Sequence, residues 1–182
     1  VALDLDSRDP VEIAKAATAR GLGLVREGQE IVTVLDGEVA EPVIRSPEVN
    51  GAVSEIASLA VLREWVNDRL RATASADAFL VLDGRDIGTA VFPDAGLKIF
   101  LTATPEARAR RRLAQRGEAF DAVSVAREAA ILARRDEIDS TREVAPLRQA
   151  DDATLIDSTD MTFAEQVEAI VMEARRRGLV TD

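Results

Sequence analysis

Residues suited to binding a charged ligand concentrate at positions 83–86, which read Asp-Gly-Arg-Asp. The apolar run from Phe79 to Leu82 before them predicts a strand buried on both faces of a parallel sheet. Open α/β sheets bind ligands at the carboxyl ends of such strands. Gly84 and Gly88 flank the charges and would let the backbone approach a ligand closely. The pattern therefore indicates a ligand site, with a solvated loop held by a local salt bridge as the alternative.

A second charged group lies at residues 134–142. Arg135 and Asp139 are four residues apart, so a helix would place them on one face. An ordinary surface ion pair is the alternative interpretation. Ser54 and Arg63 form a third candidate pair, a hydroxyl and a guanidinium on two neighbouring predicted helices. For that pair, spacing alone favours a surface role.

The composition excludes several kinds of site. The sequence has no histidine and no cysteine, which excludes Ser-His triads, imidazole metal sites, disulfides and thiolate nucleophiles. A net charge of −10 argues against a protein built mainly to bind nucleic-acid backbone. Lys15 and Lys98 are the only lysines. Arginine binds phosphate in a bidentate way better than lysine does, although a GC-rich genome would also favour arginine.

Hydrophobic periodicity and capping signals predict one α/β domain, with or without a small appendage. No apolar run approaches the roughly 18 residues of a membrane helix, and no signal peptide is apparent. Phe163, Val167, Ile170, Val171 and Ala174 should form one apolar stripe on the last helix. Helices are predicted from Asp9 to Gly21, from Ser46, and over about 61–74, 104–116, 121–139 and 162–174, and strands over 22–26, 31–35, 38–40, 97–101 and 154–156.

Several blocks of this sequence resemble bacterial cytidylate kinase, in that family's order and spacing and over essentially the whole chain. The Gly-Arg-Asp-Ile-Gly-Thr and Asp-Ser-Thr-Arg blocks are specific to that family among nucleoside monophosphate kinases. The matching blocks are residues 44–49, 83–95, 97–103, 134–136, 139–142 and 144–147.

The resemblance implies an α/β, three-layer fold like that of the P-loop nucleoside monophosphate kinases. Its sheet would be partly parallel, with a small antiparallel insertion at about 22–41 and a helical lid. The implied regions are a monophosphate-binding part over 1–75, a core over 76–114 and 147–182, and a lid over 115–146.

The resemblance also implies an enzyme of pyrimidine metabolism that moves the γ-phosphoryl group of ATP, with Mg²⁺, to CMP or dCMP. Ser54, Arg63 and Asp86 correspond to positions that hold cytosine, whose amine and acceptors match a carboxylate and a guanidinium or hydroxyl. The implied substrate-binding residues are Ser54, Arg63, Asp83, Arg85, Asp86, Asp139 and Arg142, the implied catalytic residues are Arg85, Arg135 and Arg142, and Arg111 is expected on the ATP side.

One feature of the family is missing from the sequence. The family begins with a strand and a Gly-x-x-x-x-Gly-Lys-Ser/Thr-type loop that cradles ATP phosphates, and these 182 residues contain no such loop. We therefore expect a chain that lacks the family's first strand and P-loop, and that holds much of the CMP site without binding ATP productively.

Alternative functions remain open at this stage. A non-catalytic nucleotide-binding or interaction module derived from such a kinase is the main alternative. A nucleic-acid-binding protein is disfavoured by the acidic balance and by the few aromatic residues, because base stacking needs rings. The expected partners are CMP or dCMP and ATP, with no nucleic acid and no membrane, in a cytoplasmic monomer without a protein-held metal.

Overall fold

The computed structural model describes residues 9–28, 30–44, 46, 49, 56, 59–74, 80–118 and 121–180. The chain divides into two compact units, Val1–Leu82 and Asp83–Asp182, and each is described by itself. Helices together with one antiparallel and one parallel sheet confirm the α/β class. Within the described ranges, no helix combines the length and apolarity that a membrane span requires.

The first unit begins with helix α1, Pro10–Ala19. The Asp9 carboxylate caps it by accepting a hydrogen bond of 2.9 Å from the Val11 amide, and proline occupies the first helical position. The antiparallel sheet that follows confirms the predicted insertion. Its strands are paired in the order β1, β2, β3, over Gly23–Glu27, Glu30–Leu35 and Glu38–Val39.

The tight turn between β2 and β3 has a local cause. Asp36 and Gly37 both have positive φ, at 54° and 84°, which matches the hairpin turns that glycine and aspartate favour. A short helix α2 follows over Glu41–Ile44, and helix α3 spans Ala60–Ala74. Trp65 Nε1 on α3 donates to Thr18 Oγ1 on α1 at 3.1 Å, which ties these two helices together. Most of the helix predicted from Ser46 lies outside the described residues.

The second unit contains the parallel strands β4, Ile99–Thr102, and β5, Thr154–Asp157, with Ile99 opposite Thr154. A single turn of π-helix, Ile87–Val91, precedes β4. Three capped helices complete the unit, in agreement with the capping signals of the sequence. They are α4, α5 and α6, over Pro105–Gln115, Ala122–Thr141 and Phe163–Arg176, with the N-caps Thr104, Asp121 and Thr162.

Helices α4 and α5 pack through an apolar core flanked by ion pairs. The core residues are Ala109, Leu113, Val125, Ala129 and Leu132. Beside them, Arg108, Arg112 and Arg116 of α4 pair with carboxylates of α5 or of the loop between the two helices. Because these arginines follow one another at four-residue spacing, they lie on one face of α4. Part of the arginine enrichment therefore serves helix packing rather than ligand binding.

The buried strand predicted over residues 79–82 is wrong for the part that the structure describes. Residues 80–84 have no regular structure, and the side chain of Val81 is 77% exposed. A strand is defined by ladder hydrogen bonds to a neighbour, and none of the described strands pairs with this stretch. An apolar run shows that a segment can be buried but does not supply its partner.

The predicted stripe on α6 is only partly buried. Ala174 is buried and Ile170 and Val171 are half-buried, whereas Phe163 is 81% and Val167 44% exposed. The apolar stripe is therefore buried only towards the C-terminal end of α6.

Candidate functional site

The candidate site begins at the turn that follows Asp86. The Asp86 carbonyl accepts hydrogen bonds from the Ala90 amide at 2.8 Å and from Thr89 Oγ1 at 3.3 Å, which closes the turn Ile87–Val91. The Asp86 side chain lies inward, and the residue is only 7% exposed. Arg85, directly before it, keeps 41% of its side chain exposed. The turn thus presents one buried carboxylate and one accessible guanidinium next to each other.

The last turns of α5 supply the other half of the site. Arg135, Asp139 and Arg142 lie at four- and three-residue spacing, so their side chains share one helix face. After Arg142 the chain folds back: the Leu147 amide donates to the Asp139 carbonyl at 2.7 Å. Arg142 Nε and Nη2 donate to the Ala145 carbonyl at 2.7 and 2.5 Å. These bonds fix the direction of the Arg142 guanidinium.

Asp139 is the point where the two halves meet. Its Oδ2 accepts a hydrogen bond of 2.9 Å from Arg85 Nε and lies 4.0 Å from Arg135 Nε, while its Oδ1 lies 3.6 Å from Arg142 Nη1. Arg142 Nη2 is also 3.6 Å from Asp86 Oδ1. The structure therefore joins two sequence groups that are about fifty residues apart. The ion pairs are therefore not confined to the loop at 83–86 or to the helix that carries Arg135 and Asp139.

The cluster has unused capacity for an anion. Arg135 Nε is buried and makes no hydrogen bond within the described part of the chain. A buried donor without an acceptor is costly, so an arriving oxygen would be bound favourably. The Arg85 and Arg135 side chains are each 41% exposed and can be reached from solvent. Three guanidiniums against two buried carboxylates leave an excess of positive charge for a phosphate group.

The two glycines of this segment pack against side chains of the protein itself. A Cβ on Gly84 would lie 2.7 Å from Ile87 Cγ1, and a Cβ on Gly88 would lie 3.3 Å from Lys98 Cδ. Close packing is therefore one reason for glycine at these positions. Approach of their backbone to a ligand stays a prediction.

The remaining predicted residues are Asp83, Arg63, Ser54 and Arg111. Asp83 is exposed at the start of the segment, and Arg63 is half-buried on α3 of the first unit. Ser54 lies outside the described residues. Arg111 donates to Ser158 Oγ at 3.2 Å and to the Met161 carbonyl at 2.9 Å. It therefore holds the loop between β5 and α6.

That loop lines a cavity of about 500 Å³ with acidic residues. Hydrogen bonds from Thr159 lower the pKa of Asp157, and hydrogen bonds from Thr162 lower the pKa of Glu165. Both carboxylates are therefore charged at neutral pH, which disfavours a phosphate group at this place. The lining residues are Asp157, Thr159, Asp160, Met161 and Glu165.

Sequence reasoning missed the buried polar pair beside the site. Lys98 is 8% exposed, and its Nζ lies 2.8 Å from both carboxylate oxygens of Asp152. The available signal was a single lysine within the apolar run Leu97–Leu101, in a chain with only one other lysine. A charge at such a position needs a partner that only the fold can supply.

Comparison with known proteins gives a family for this chain. The cytidylate kinase family profile matches residues 4–176. A cytidylate kinase of Pseudomonas aeruginosa (strain LESB58) is 47% identical over 154 residues, which cover 83% of this chain and 65% of that protein. A cytidylate kinase of Stutzerimonas stutzeri (strain A1501) is 40% identical over 177 residues, covering 97% of this chain and 77% of that protein.

The chain spans about 65% of the length of the Pseudomonas aeruginosa relatives that it matches. The match nevertheless includes both charged groups that converge on Asp139, since the family profile runs through residues 83–86 and 134–142. The extent of the profile, the identity to these relatives and the order of the motifs lead to one conclusion: the chain belongs to the cytidylate kinase family.

Proposed function

We propose that this protein serves the transfer of the γ-phosphoryl group of ATP to CMP or dCMP, which gives CDP or dCDP and ADP. Family membership supports the reaction class. The observation that carries the proposal is the convergence of Arg85, Arg135 and Arg142 on Asp139. Phosphoryl transfer depends on positioning and charge neutralisation, and guanidiniums supply both without a histidine base.

In the proposed complex the CMP phosphate lies against the exposed faces of Arg85 and Arg135. One phosphate oxygen gives Arg135 Nε the acceptor that it lacks within the described residues. Arg142, which is only 10% exposed, is held by Ala145 and by both buried carboxylates, so it contributes charge from a fixed position. The CMP phosphate and the γ-phosphate of ATP are both anionic and repel each other. The arginines neutralise part of this charge, so the attacking oxygen of CMP can approach the γ-phosphate.

The base is proposed to be selected by polar pairing. The Asp86 carboxylate would accept a hydrogen bond from the exocyclic amine of cytosine, and uracil presents a carbonyl there instead. Ser54 and Arg63 stay proposed base-binding residues on the strength of the resemblance alone. Asp86→Asn is expected to reduce the preference for CMP over UMP about tenfold, because an amide can also donate to the uracil carbonyl. An unchanged preference would remove Asp86 from this role.

Mg²⁺ is proposed to act together with ATP. Among the described residues, no group of three or more acidic side chains is placed to hold a metal ion. Magnesium is usually bound by substrate phosphates with few protein carboxylates. The steps proposed for the arginines and for Asp86 do not depend on it.

Arg111 is proposed to act on the ATP side indirectly, by shaping the loop between β5 and α6 that it holds. We also propose that the protein works in the cytoplasm, where its nucleotide substrates occur, as a monomer, with no nucleic-acid or membrane partner. The division into a monophosphate-binding region, a core and a lid stays a prediction.

Calorimetric titration of the 182-residue chain with CMP tests the proposal, with UMP and AMP as controls. Selective CMP binding is the expected result. A folded chain that does not bind CMP, or that binds UMP equally well, would contradict it. A coupled assay with ATP, Mg²⁺ and CMP then measures transfer. Because these 182 residues contain no P-loop, we expect little turnover from them by themselves, and turnover near that of an intact cytidylate kinase would contradict this expectation.

A further inference from the structure

The two lysines of the chain form ion pairs of equal N–O distance, but one lysine is exposed to solvent and the other is buried. Lys15 Nζ lies 2.8 Å from Glu12 and its side chain is 68% exposed. Lys98 Nζ lies 2.8 Å from Asp152, but its side chain is only 8% exposed. The first is an ordinary surface pair within a helix, of small energetic value. The second takes an ammonium group out of water just before β4.

Burying an ammonium group is a costly way to fill space. Replacing a buried ion pair with apolar side chains of similar volume is often neutral or stabilising, so the pair is weak evidence for a stabilising role. Asp152 remains 60% exposed, and the hydrogen bond from Lys98 lowers its pKa. The Lys98 ammonium also donates to the Pro93 carbonyl. A methionine would fill the same space but could not bind Asp152 and the Pro93 carbonyl. The specific contribution of the lysine is therefore that it connects these two segments.

Lys98 holds the turn Ile87–Val91 at two places. Its aliphatic stem lies against Gly88, where a Cβ would come within 3.3 Å of Cδ and 3.4 Å of Cγ. Its ammonium binds the Pro93 carbonyl just after the turn. The turn closes on the Asp86 carbonyl. Contacts at Gly88 and Pro93 therefore also fix the position of Asp86, where the turn begins. Asp152, which precedes β5, anchors the ammonium from the other side.

We propose that Lys98 is a positioning residue of the nucleotide site, which fixes the turn after Asp86 and thereby sets Arg85 and Asp86 against Asp139 and Arg142. The proposal rests on the proposed CMP site. Lys98 touches no nucleotide in this arrangement. It acts through the turn, and the Lys98–Asp152 pair supplies a fixed reference beside the parallel strands.

Chemical rescue provides the test, because the chain has no cysteine of its own. Lys98→Cys creates a single thiol, which is alkylated in the unfolded chain with 2-bromoethylamine. The sulfur displaces bromide, and the product is γ-thialysine, a side chain with the ammonium group of lysine. Iodoacetamide gives a neutral amide adduct as the matched control. Both chains are refolded, checked by circular dichroism and titrated with CMP below their melting temperatures.

The neutral adduct is expected to bind CMP about tenfold more weakly, as for the loss of one charged hydrogen bond that orders the site. The aminoethyl adduct is expected to recover the affinity of the original chain. A role in stability alone would change the melting temperature without this difference in affinity between two folded chains. Lys15→Met, the exposed counterpart, should leave CMP affinity unchanged.

Asp152→Asn gives a second test of the proposal that needs no chemical modification or refolding. Residue 152 is exposed, and asparagine has nearly the same size as aspartate. It should weaken CMP binding in the same direction, and its effect should not add to that of Lys98→Met. Full CMP affinity in the neutral adduct or in Asp152→Asn overturns the role of Lys98 while the CMP site stands. Absence of CMP binding by the original chain overturns the proposed function and this role with it.

Discussion

Helix α5 carries two buried carboxylates surrounded by arginines, and they differ in how completely they are paired. Glu128 and Asp139 are each 7% exposed. Glu128 Oε1 lies 3.3 Å from Arg112 Nε, and Glu128 Oε2 lies 3.0 Å from Arg116 Nη2. Both arginines come from the neighbouring helix α4. Each oxygen of Glu128 thus has its own partner, and the pairs run alongside the apolar core between the helices.

Asp139 is surrounded more loosely, by groups from its own helix and from a distant turn. Only the Arg85 contact is a hydrogen bond, while the Arg142 and Arg135 nitrogens lie at 3.6 and 4.0 Å. A fully paired carboxylate fastens two helices, whereas a loosely paired one leaves guanidiniums with capacity for a ligand. Incomplete pairing alone does not mark a site, because Arg108 Nε among the packing pairs is also buried without a hydrogen bond in the described part of the chain. What distinguishes Asp139 is that three guanidiniums gather around it and that those of Arg85 and Arg135 remain accessible.

The largest effect is expected for Arg142→Ala. This change removes a guanidinium that lies 3.6 Å from both Asp86 and Asp139. Two buried carboxylates then lose a positive charge beside the proposed phosphate position, and CMP affinity should fall about 100-fold. The apolar core between α4 and α5 is untouched, so the chain should still fold. Calorimetric titration measures the affinity, and circular dichroism checks the fold. CMP affinity equal to that of the original chain would show that the Asp139 cluster is not the phosphate site.

Glu128→Gln should affect stability instead of binding. The amide removes the negative charge that Arg112 and Arg116 share, although Arg116 keeps its pair with Glu118. We expect a loss of about 2 kcal/mol in the free energy of unfolding, less than for a fully buried pair because both arginines are 38% exposed. Urea denaturation measures the loss. If CMP affinity falls as well while the chain remains folded, the two carboxylates do not divide the roles as proposed.

Arg135→Ala sharpens the comparison from the other side. Within the cluster its Nε makes only the 4.0 Å contact with Asp139, so little stability should be lost. CMP affinity should fall about tenfold, because one phosphate contact disappears. Arg116→Ala is the matched control and should show the reverse, with lower stability and unchanged affinity. Identical behaviour of the two variants would argue against any difference between the clusters.

The smallest effect concerns Glu173, a third carboxylate bound by arginines. Hydrogen bonds from Arg176 and Arg177 lower its pKa from 4.5 to about 2. Its stabilising contribution is therefore complete above pH 4.5 and is lost as the pH falls towards 2. Urea denaturation should show Glu173→Gln to be less stable than the original chain at neutral pH, with a gap that closes near pH 2. A gap independent of pH would rule out this linkage.

Local structure followed closely from the sequence because its causes are local. Asp9, Thr104, Asp121 and Thr162 begin helices through their own side chains, and Asp36–Gly37 makes its turn through its own backbone preferences. The family was also readable, since its motifs are contiguous blocks. Whether residues 79–82 form a strand, and how far the apolar stripe of α6 is buried, could not be predicted, because each depends on a neighbouring surface that periodicity does not reveal.

The candidate site was predicted in its residues but not in its arrangement. The sequence identified Arg85, Asp86, Arg135, Asp139 and Arg142 by resemblance, and the alternative of separate surface pairs stayed open. No local rule links Arg85 to Asp139, which is 54 positions away. The same separation lies between Lys98 and Asp152, and neither partner of that pair was identified from the sequence.

The sequence by itself determined the capped helices, the antiparallel hairpins, the excluded chemistries and the family, because each depends on side chains or motifs close together along the chain. Only the tertiary structure decided that three arginines share Asp139, that Arg108, Arg112 and Arg116 serve packing, and that Lys98 is buried on Asp152. The physical reason is that the energetic contribution of a charged group depends on its surroundings. A guanidinium or an ammonium group stabilises, positions or binds according to the partners and the water that folding leaves beside it.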